Sequence, residues 1–490
     1  MKSLAQLQII SFVSRGIAMI LGLVQGIFVL RFLSVEEYGV VGVVASIGSV
    51  IGVTQHLGLA SGSTREIAGA EHKSEVFKIF VTSVFIRYIV TVPLAAGLFL
   101  FSDHIATRFY NNPNIILPLK IYAGVLLFQG VQSILNSVIS GTQRFKALFI
   151  YQSAIALVSV ILYIPLVYLY KVDGYFLAFL LFNIIASVVL GIVAFYPLRS
   201  YIQFPTNSEI STIFKGIFSV SMSIFIVKII YTFWQRSGPL FLEKTVGTFE
   251  VGLFNFALFY ATKLMLFSDA ITDVNLPVLS KDFKDDLSVF KKKFSDNFDK
   301  VFALIVFASS TAVFWLPEIV QIAVGSDKYN AALPLVFPLI LAFMFYSFIN
   351  ILKSSVLVPA NLSRPLFISY FLLFVGTAAF YMSTNALFGP LTSFAYSMAV
   401  GSLVSVLYIL YVCYLKMDFT FINVFHVLLL VHMVVLSIMS TPFSLFAKIP
   451  LYLSFSAIYV GILYYAGFFT HTHIQFLQSK INFIKSKHGK

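Results

Sequence analysis

Six basic residues fall inside long apolar stretches of this chain: Arg15, Arg87, Lys228, Arg236, Lys263 and Lys353. A cation in hydrocarbon costs at least about 2.5–3.5 kcal/mol, so such a side chain normally faces protein or a water-filled cavity. Arg236 sits near the end of its stretch, where the long stem can carry the charge to a headgroup layer. Arg15, Arg87 and Lys228 lie a third to half way in, and their own stretches hold no Asp or Glu at similar depth. Cations without carboxylate partners point to a cavity that receives an anion. On the first stretch Gln8, Arg15, Gly22 and Gln25 share one helical face, and on a later one Ser221, Lys228, Tyr231, Thr232 and Gln235 do the same. Gln25, Tyr231, Gln235, Lys263 and Lys353 are therefore candidates to line the same cavity. Asp269 and Asp273 stand four apart on one face and repel unless protonated or cation-bound, which makes them candidates for a coupling-ion site; the plain alternative is that they emerge at the membrane edge. The single cysteine, Cys413, excludes an intrachain disulfide. No Cys/His cluster at metal spacing, Gly-rich nucleotide loop or nucleophile elbow is present, so no cofactor, metal or catalytic group is expected.

The elements that carry these residues follow from composition. The chain has 490 residues, 59% hydrophobic and only 11% charged, with 54 Phe and 25 Tyr. Soluble domains hold about 45–50% apolar and about 25% charged residues, so the bilayer must be the solvent. The expected fold is all-α and polytopic, with about fourteen transmembrane helices of about 20 apolar residues or more. They are placed near 7–33, 39–60, 76–101, 115–140, 147–170, 174–198, 214–236, 247–277, 299–324, 331–358, 362–384, 388–415, 422–444 and 450–469. The start of the chain, interrupted by Arg15 and without a small-residue cleavage site, reads as the first span rather than a cleaved signal. The longest polar stretch between spans, Ser280 to Lys300, is too short for a soluble catalytic domain.

The net charge of +13 is distributed across a membrane rather than gathered for nucleic acid. With the N-terminus cytoplasmic, 20 of the 33 Lys and Arg lie on the cytoplasmic side and seven on the other. That asymmetry places both termini inside, and the basic tail from Lys480 then anchors to anionic lipid.

Several charged positions recur at an offset of 213: Arg15 with Lys228, Arg31 with Lys244, Glu37 with Glu250, and Val76-Phe77-Lys78 with Val289-Phe290-Lys291. Gly39 and Gly252 obey the same offset. Because charged residues are scarce here, same-sign matches at one spacing argue for an internal repeat. The expected organisation is residues 1–200 as a six-helix half, 201–415 as a second, and 416–490 as two further helices with a basic cytoplasmic tail. Six is even, so the halves are parallel repeats about an axis along the membrane normal, an arrangement suited to alternating access.

Phe32-Leu33-Ser34-Val35-Glu36-Glu37-Tyr38-Gly39 resembles the "fLs-eeyG" signature of polysaccharide transporters in the MATE-like MOP exporter superfamily. Glu250-Val251-Gly252-Leu253-Phe254 is similar to that family's "evGlY", with Phe254 in place of Tyr. Gly325 to Ala332 (GSDKYNAA) resembles its "G-eY--A" element and Gly141 to Phe145 (GTQRF) its "G--rf" turn. The resemblance implies a Wzx-type flippase in the bacterial cytoplasmic membrane. Such proteins carry undecaprenyl-diphosphate-linked oligosaccharide to the outer leaflet for O-antigen, capsule or exopolysaccharide assembly. It implies as partners the lipid-linked oligosaccharide, membrane lipids, and the polymerase and chain-length machinery, with no nucleic acid. Under it the anion is a diphosphate, held by Arg15, Arg87 and Lys228. Three other readings stand beside it: a MATE-type drug or cation antiporter, which needs a buried carboxylate that the first seven spans do not offer; a flippase for the peptidoglycan lipid precursor; and a membrane enzyme, disfavoured by the short outer loops.

Overall fold

The computed structural model describes residues 4–269, 272, 283, 286–439 and 444–468, apart from the side chains of residues 4–13, 15, 145, 218–224 and 323. In hydrocarbon every peptide group must be satisfied within the protein, which a helix does inside one segment. Accordingly the described residues form helices and turns and no β-strand. The α-helices are α1 (Leu4–Phe32), α2 (Val35–Thr54), α3 (Leu59–Ala68), α4 (Lys73–His104), α5 (Ile116–Gly141), α6 (Phe145–Phe195), α7 (Asn207–Thr245), α8 (Thr248–Ala261), α9 (Leu287–Phe314), α10 (Leu316–Val324), α11 (Leu333–Leu352), α12 (Ser363–Phe388), α13 (Pro390–Met417), α14 (Val424–Ile438) and α15 (Leu445–Tyr465).

Among the described residues, ten segments are long and apolar enough to cross a membrane, with shorter apolar helices at Gly16–Phe32 and Val424–Ile438. The chain is a multi-pass membrane protein. Part of the distance from the expected fourteen has a local cause. The 51 residues of α6 would measure about 76 Å if straight, far more than a bilayer core. Non-helical backbone at Lys171 (φ 52°, ψ −125°) divides it in two, at the break expected between 170 and 174.

Caps move several expected boundaries. The second span begins at Val35 rather than 39 because Ser34 and Glu37 form a capping box, the Ser34 side chain accepting from the Glu37 amide and Glu37 from the Ser34 amide at 2.7 Å. It ends at Thr54 because Leu57 (φ 43°) and Gly58 (φ 69°) are left-handed, and α3 restarts beyond them. The span expected at 299–324 starts at Leu287, where Asp286 caps the amides of Ser288 and Val289, and breaks at Trp315 into α9 and α10. Expected Asp273 and the tail from Lys480 lie outside the described residues.

The helices gather into two compact units. One comprises Met1–Ala261, Val320–Ala342 and Leu362–Ser405; the other comprises Thr262–Ile319, Phe343–Asn361 and Val406–Lys490. In the first, α2 crosses α8 at glycines. A Cβ on Gly39 would collide with the Thr248 carbonyl oxygen, and one on Gly252 with the Val35 carbonyl oxygen. Gly42 faces the Asn255 side chain, where an added Cβ would come within 2.8 Å of its Cγ. Residues 35, 39 and 42 exchange partners with 248, 252 and 255, each pair of equivalents 213 apart. The same offset relates Arg31, which donates to the Ile322 carbonyl at 2.9 Å, to Lys244, which sits 4.6 Å from the centre of the Phe109 ring. Such an exchange is what a two-fold relation between the two segments produces. The buried Trp234 of α7 donates to Thr377 of α12 at 3.0 Å, satisfying its indole in an apolar surround.

Candidate functional site

Arg87, on α4, is completely buried. Its guanidinium donates to the Gln55 carbonyl at 2.7 Å and to Ser133, and lies 3.1 Å from His56 Nδ1. Thr91 donates to the Gln55 side chain at 2.7 Å. The break between α2 and α3 supplies this arrangement, because a chain leaving the helix frees carbonyls that a cation can cap. The buried Nε has no hydrogen-bond partner among the described residues. Arg87 thus ties the α2–α3 turn to α4 and α5. His56, Gln55 and Ser133 were invisible as partners in the sequence, since each is an ordinary polar residue until the turn brings it to Arg87.

Lys228, on α7, is exposed, and no ion pair with a carboxylate engages its ammonium among the described residues. It is close enough to Arg87 for the two charges to repel, and both act on His56. The structure therefore brings Lys228 and Arg87 into one electrostatic neighbourhood, with Lys228 as the open cation. Gln25, Tyr231 and Gln235 are half-buried in the same compact unit, and the Tyr231 ring lies 6.2 Å from that of Trp234. Arg15 lies on α1, but its side chain is outside the described ones.

Asp269, Lys263 and Lys353 belong to the other unit. Asn350 donates to Asp269 at 2.9 Å, and Lys353 donates to the Asn350 side-chain oxygen at 2.7 Å. One amide thus relays between a carboxylate and an ammonium, so the negative charge of Asp269 is partly answered within the protein. Glu318, alone in the sequence, pairs with Lys448 of α15 at 2.6 Å. Lys448 was expected in a loop; in the structure it lies in the first turn of α15 and is 2% exposed. The partners are too far apart in the chain for any local pattern to join them.

The motif residues have structural work of their own. Tyr38 meets Tyr329 edge-on at 6.3 Å, and Tyr329 stacks on Phe256 at 4.6 Å. Lys328 donates to the Leu33 carbonyl at 2.7 Å, capping the end of α1. Phe254 is buried against Phe394 and faces Gly238. Three of the four motifs thus converge where α1 turns into α2. The fourth works elsewhere: Arg144 donates to the Val193 and Ala194 carbonyls at 2.6 and 3.0 Å, closing the last turn of α6.

The sequence model of a family described as "Polysaccharide biosynthesis protein" matches residues 28–334. That is more than half of the chain, and the chain belongs to this family. No curated protein matches it in sequence. In fold it is similar to the lipid II flippase MurJ in an inward closed conformation, with a TM-score of 0.71 at 14% identity over 94% of this chain and 99% of that one. It is also similar to a multidrug resistance MATE family transporter of the MOP superfamily in an inward-facing conformation, with a TM-score of 0.66 at 15% identity over 81% and 96%. The MATE multidrug transporter DinF-BH gives 0.61 at 14% identity over 86% and 96%. The fold is MATE-like.

Proposed function

We propose that this protein is a flippase which moves undecaprenyl-diphosphate-linked oligosaccharide from the inner to the outer leaflet of a bacterial cytoplasmic membrane, for assembly of a surface polysaccharide. It acts as a transporter rather than an enzyme. The observation that carries the reading is the Lys228 ammonium, in no ion pair with a carboxylate among the described residues and within electrostatic reach of buried Arg87, in a chain of a polysaccharide biosynthesis family. A diphosphate is the anion that such a site draws away from bulk water. Lys228 and Arg15 meet the diphosphate, and Arg87 holds the α2–α3 turn. Gln25, Tyr231 and Gln235 line the path of the sugar. The halves 1–200 and 201–415 rock about the α2–α8 crossing, a role supported by the two-fold exchange of partners at Gly39 and Gly252. Both termini are cytoplasmic, and residues 416–490 add two helices to the second half. The polymerase and chain-length machinery receive the product.

The test is a clean deletion followed by extraction of lipid-linked oligosaccharides and a measurement of the leaflet that holds them. Complete units trapped on the cytoplasmic side, with surface polymer lost, are expected. Absent or shortened units would place the protein in synthesis. Normal units and polymer would turn attention to dye efflux, and rescue of a strain lacking its lipid II flippase would name the peptidoglycan precursor as cargo.

A further inference from the structure

Within the second compact unit, polar groups from four helices line one seam between α9–α10 and the helices α14 and α15. From α9 and α10 come Asp299, the Ala303 carbonyl, Thr311 and Glu318; from α14, His426 and His432; from α15, Lys448, Tyr452, the Phe455 carbonyl and Tyr459. They pair in order along the antiparallel helices. Glu318 meets Lys448 at 2.6 Å, Thr311 meets the Tyr452 hydroxyl at 2.7 Å, His432 meets the Phe455 carbonyl at 3.0 Å, and Tyr459 donates to the Ala303 carbonyl at 2.6 Å. His426 Nε2 lies 3.1 Å from Asp299 Oδ1, an ion pair only when the ring is protonated, and the angle is not that of a hydrogen bond. From Asp299 to Thr311 the file climbs about 18 Å at 1.5 Å per residue.

All three principal helices are apolar enough to lie in the membrane, where a seam built only for packing would be made of Leu, Val and Phe. Instead, among the described residues, Glu318 Oε2 and His432 Nδ1 are buried polar atoms of this seam with no hydrogen-bond partner, and Asp299 Oδ1 and His426 Nε2 have only their approach to each other. Unsatisfied groups at membrane depth are expensive and mark function.

The two histidines are 1% and 7% exposed. A carbonyl only accepts, so the neutral His432 ring carries its hydrogen on Nε2, toward Phe455, and leaves the Nδ1 lone pair bare and buried. His426 Nδ1 has the Asn423 amide at 3.2 Å to accept from and the Asn423 side-chain oxygen at 2.9 Å to donate to. A neutral ring makes the first contact with its hydrogen on Nε2 or the second with it on Nδ1, and imidazolium makes the second while also presenting Nε2–H to Asp299. The titratable groups against the pair are Asp299 of α9, 3.1 Å from His426 Nε2, and Tyr459 of α15, its ring centre 5.0 Å from that of His432, while Tyr452 meets Thr311 and Glu318 meets Lys448 farther along the seam. The neighbouring face of α11 brings the Phe348 ring, stacked on Phe302 at 4.7 Å.

We propose that this seam is a proton-binding site, with His426 and His432 as the groups that take up the proton, through which a proton gradient acts on the transport cycle. His432 gains one proton at Nδ1 and His426 at the ring nitrogen that lacks a hydrogen; each becomes imidazolium and returns the proton from the same atom. The proposal rests on the transport reading above, and its test separates the two.

The full chain is reconstituted in liposomes with an entrapped pH-sensitive dye, and lipid-linked oligosaccharide extracted from the deletion strain is the probe. One pH unit shifts a one-proton equilibrium about tenfold. A one-unit gradient should therefore speed wild-type translocation by up to that factor. His432→Gln, whose amide still reaches the Phe455 carbonyl, and His426→Gln should lose the acceleration and keep the zero-gradient rate within about twofold. If His426→Gln fails to fold, His432→Gln decides alone. Wild-type translocation indifferent to the gradient, or variants that respond as wild type does, overturns the proposal. If the wild type moves no oligosaccharide, the transport reading falls and the dye decides the seam. Proton entry under a membrane potential that the histidine variants lack upholds it, and its absence overturns it.

Discussion

Lys228 and Arg87 carry the same charge in the same unit, yet their surroundings give them different work. The Arg87 guanidinium is occupied by Gln55, His56 and Ser133, so Arg87→Ala leaves buried acceptors without a donor. A loss of roughly 2–4 kcal/mol is expected from hydrogen bonds to a charged group, read as a lower unfolding temperature in detergent. Lys228 stands exposed, so Lys228→Ala should leave that temperature nearly unchanged while reducing translocation at least about tenfold, the effect of losing one charge-assisted contact to the diphosphate. Equal destabilisation by both substitutions would contradict this division of roles. Glu209 offers a pH test outside the membrane. α7 has 39 residues, about 58 Å at 1.5 Å per residue, so its first turn projects beyond a bilayer core. There Lys78, at 2.6 Å, and the Thr206 amide and hydroxyl hold the Glu209 carboxyl down at about 2. A depressed carboxyl contributes stability above its unfolded pKa of about 4.3 and loses it as pH falls through the folded one. Glu209→Gln should therefore lower the unfolding temperature equally at pH 7 and pH 5, with the difference shrinking only below about pH 4.

At the scale of elements, the α2–α8 crossing is the contact that substitutions should test. Gly39 and Gly252 admit no Cβ because a carbonyl oxygen of the facing helix occupies the place. Backbone cannot move aside as a side chain can, so Gly39→Ala or Gly252→Ala must push the helices apart, at about 1–3 kcal/mol each. Gly42→Ala meets only the Asn255 side chain and should be milder. Cysteines placed in α2 and α8 near the crossing would report the separation by cross-linking, and efficiency should fall in the first two variants and persist in the third. The motif glycines were legible as letters of a signature. Their reason, two backbones in contact, was not, because it depends on a helix more than two hundred residues away. The caps were more local: Ser34 and Glu37 stand three apart, as a capping box requires. Reading that spacing would have started the second span at Val35.

For the whole molecule, the distribution of Lys and Arg makes a checkable map. Cys413 is the single cysteine and is buried. In a Cys413→Ala background, cysteines introduced at Asn111, Asp327 or Gly389 should react with an impermeant maleimide in intact cells. Those at Gln143, Asn361 or Asp418 should react only after permeabilisation. Reversal would invert the proposed orientation. Composition decided that the chain lives in a bilayer, and continuous apolar runs of about 20 residues, rather than the alternating runs of about 10 that a barrel strand needs, decided that its elements are helices. Charge scarcity exposed the offset of 213 and the intramembrane cations, since few residues compete for those positions. Which cation stays open, Lys228 rather than Arg87, was decided by the turn at Leu57 and Gly58 that brings Gln55 and His56 to the guanidinium. The pairing of Glu318 with Lys448 and of Asp299 with His426 was decided the same way. A sequence fixes how much charge must be buried and roughly at what depth; only packing between distant helices determines which groups answer it.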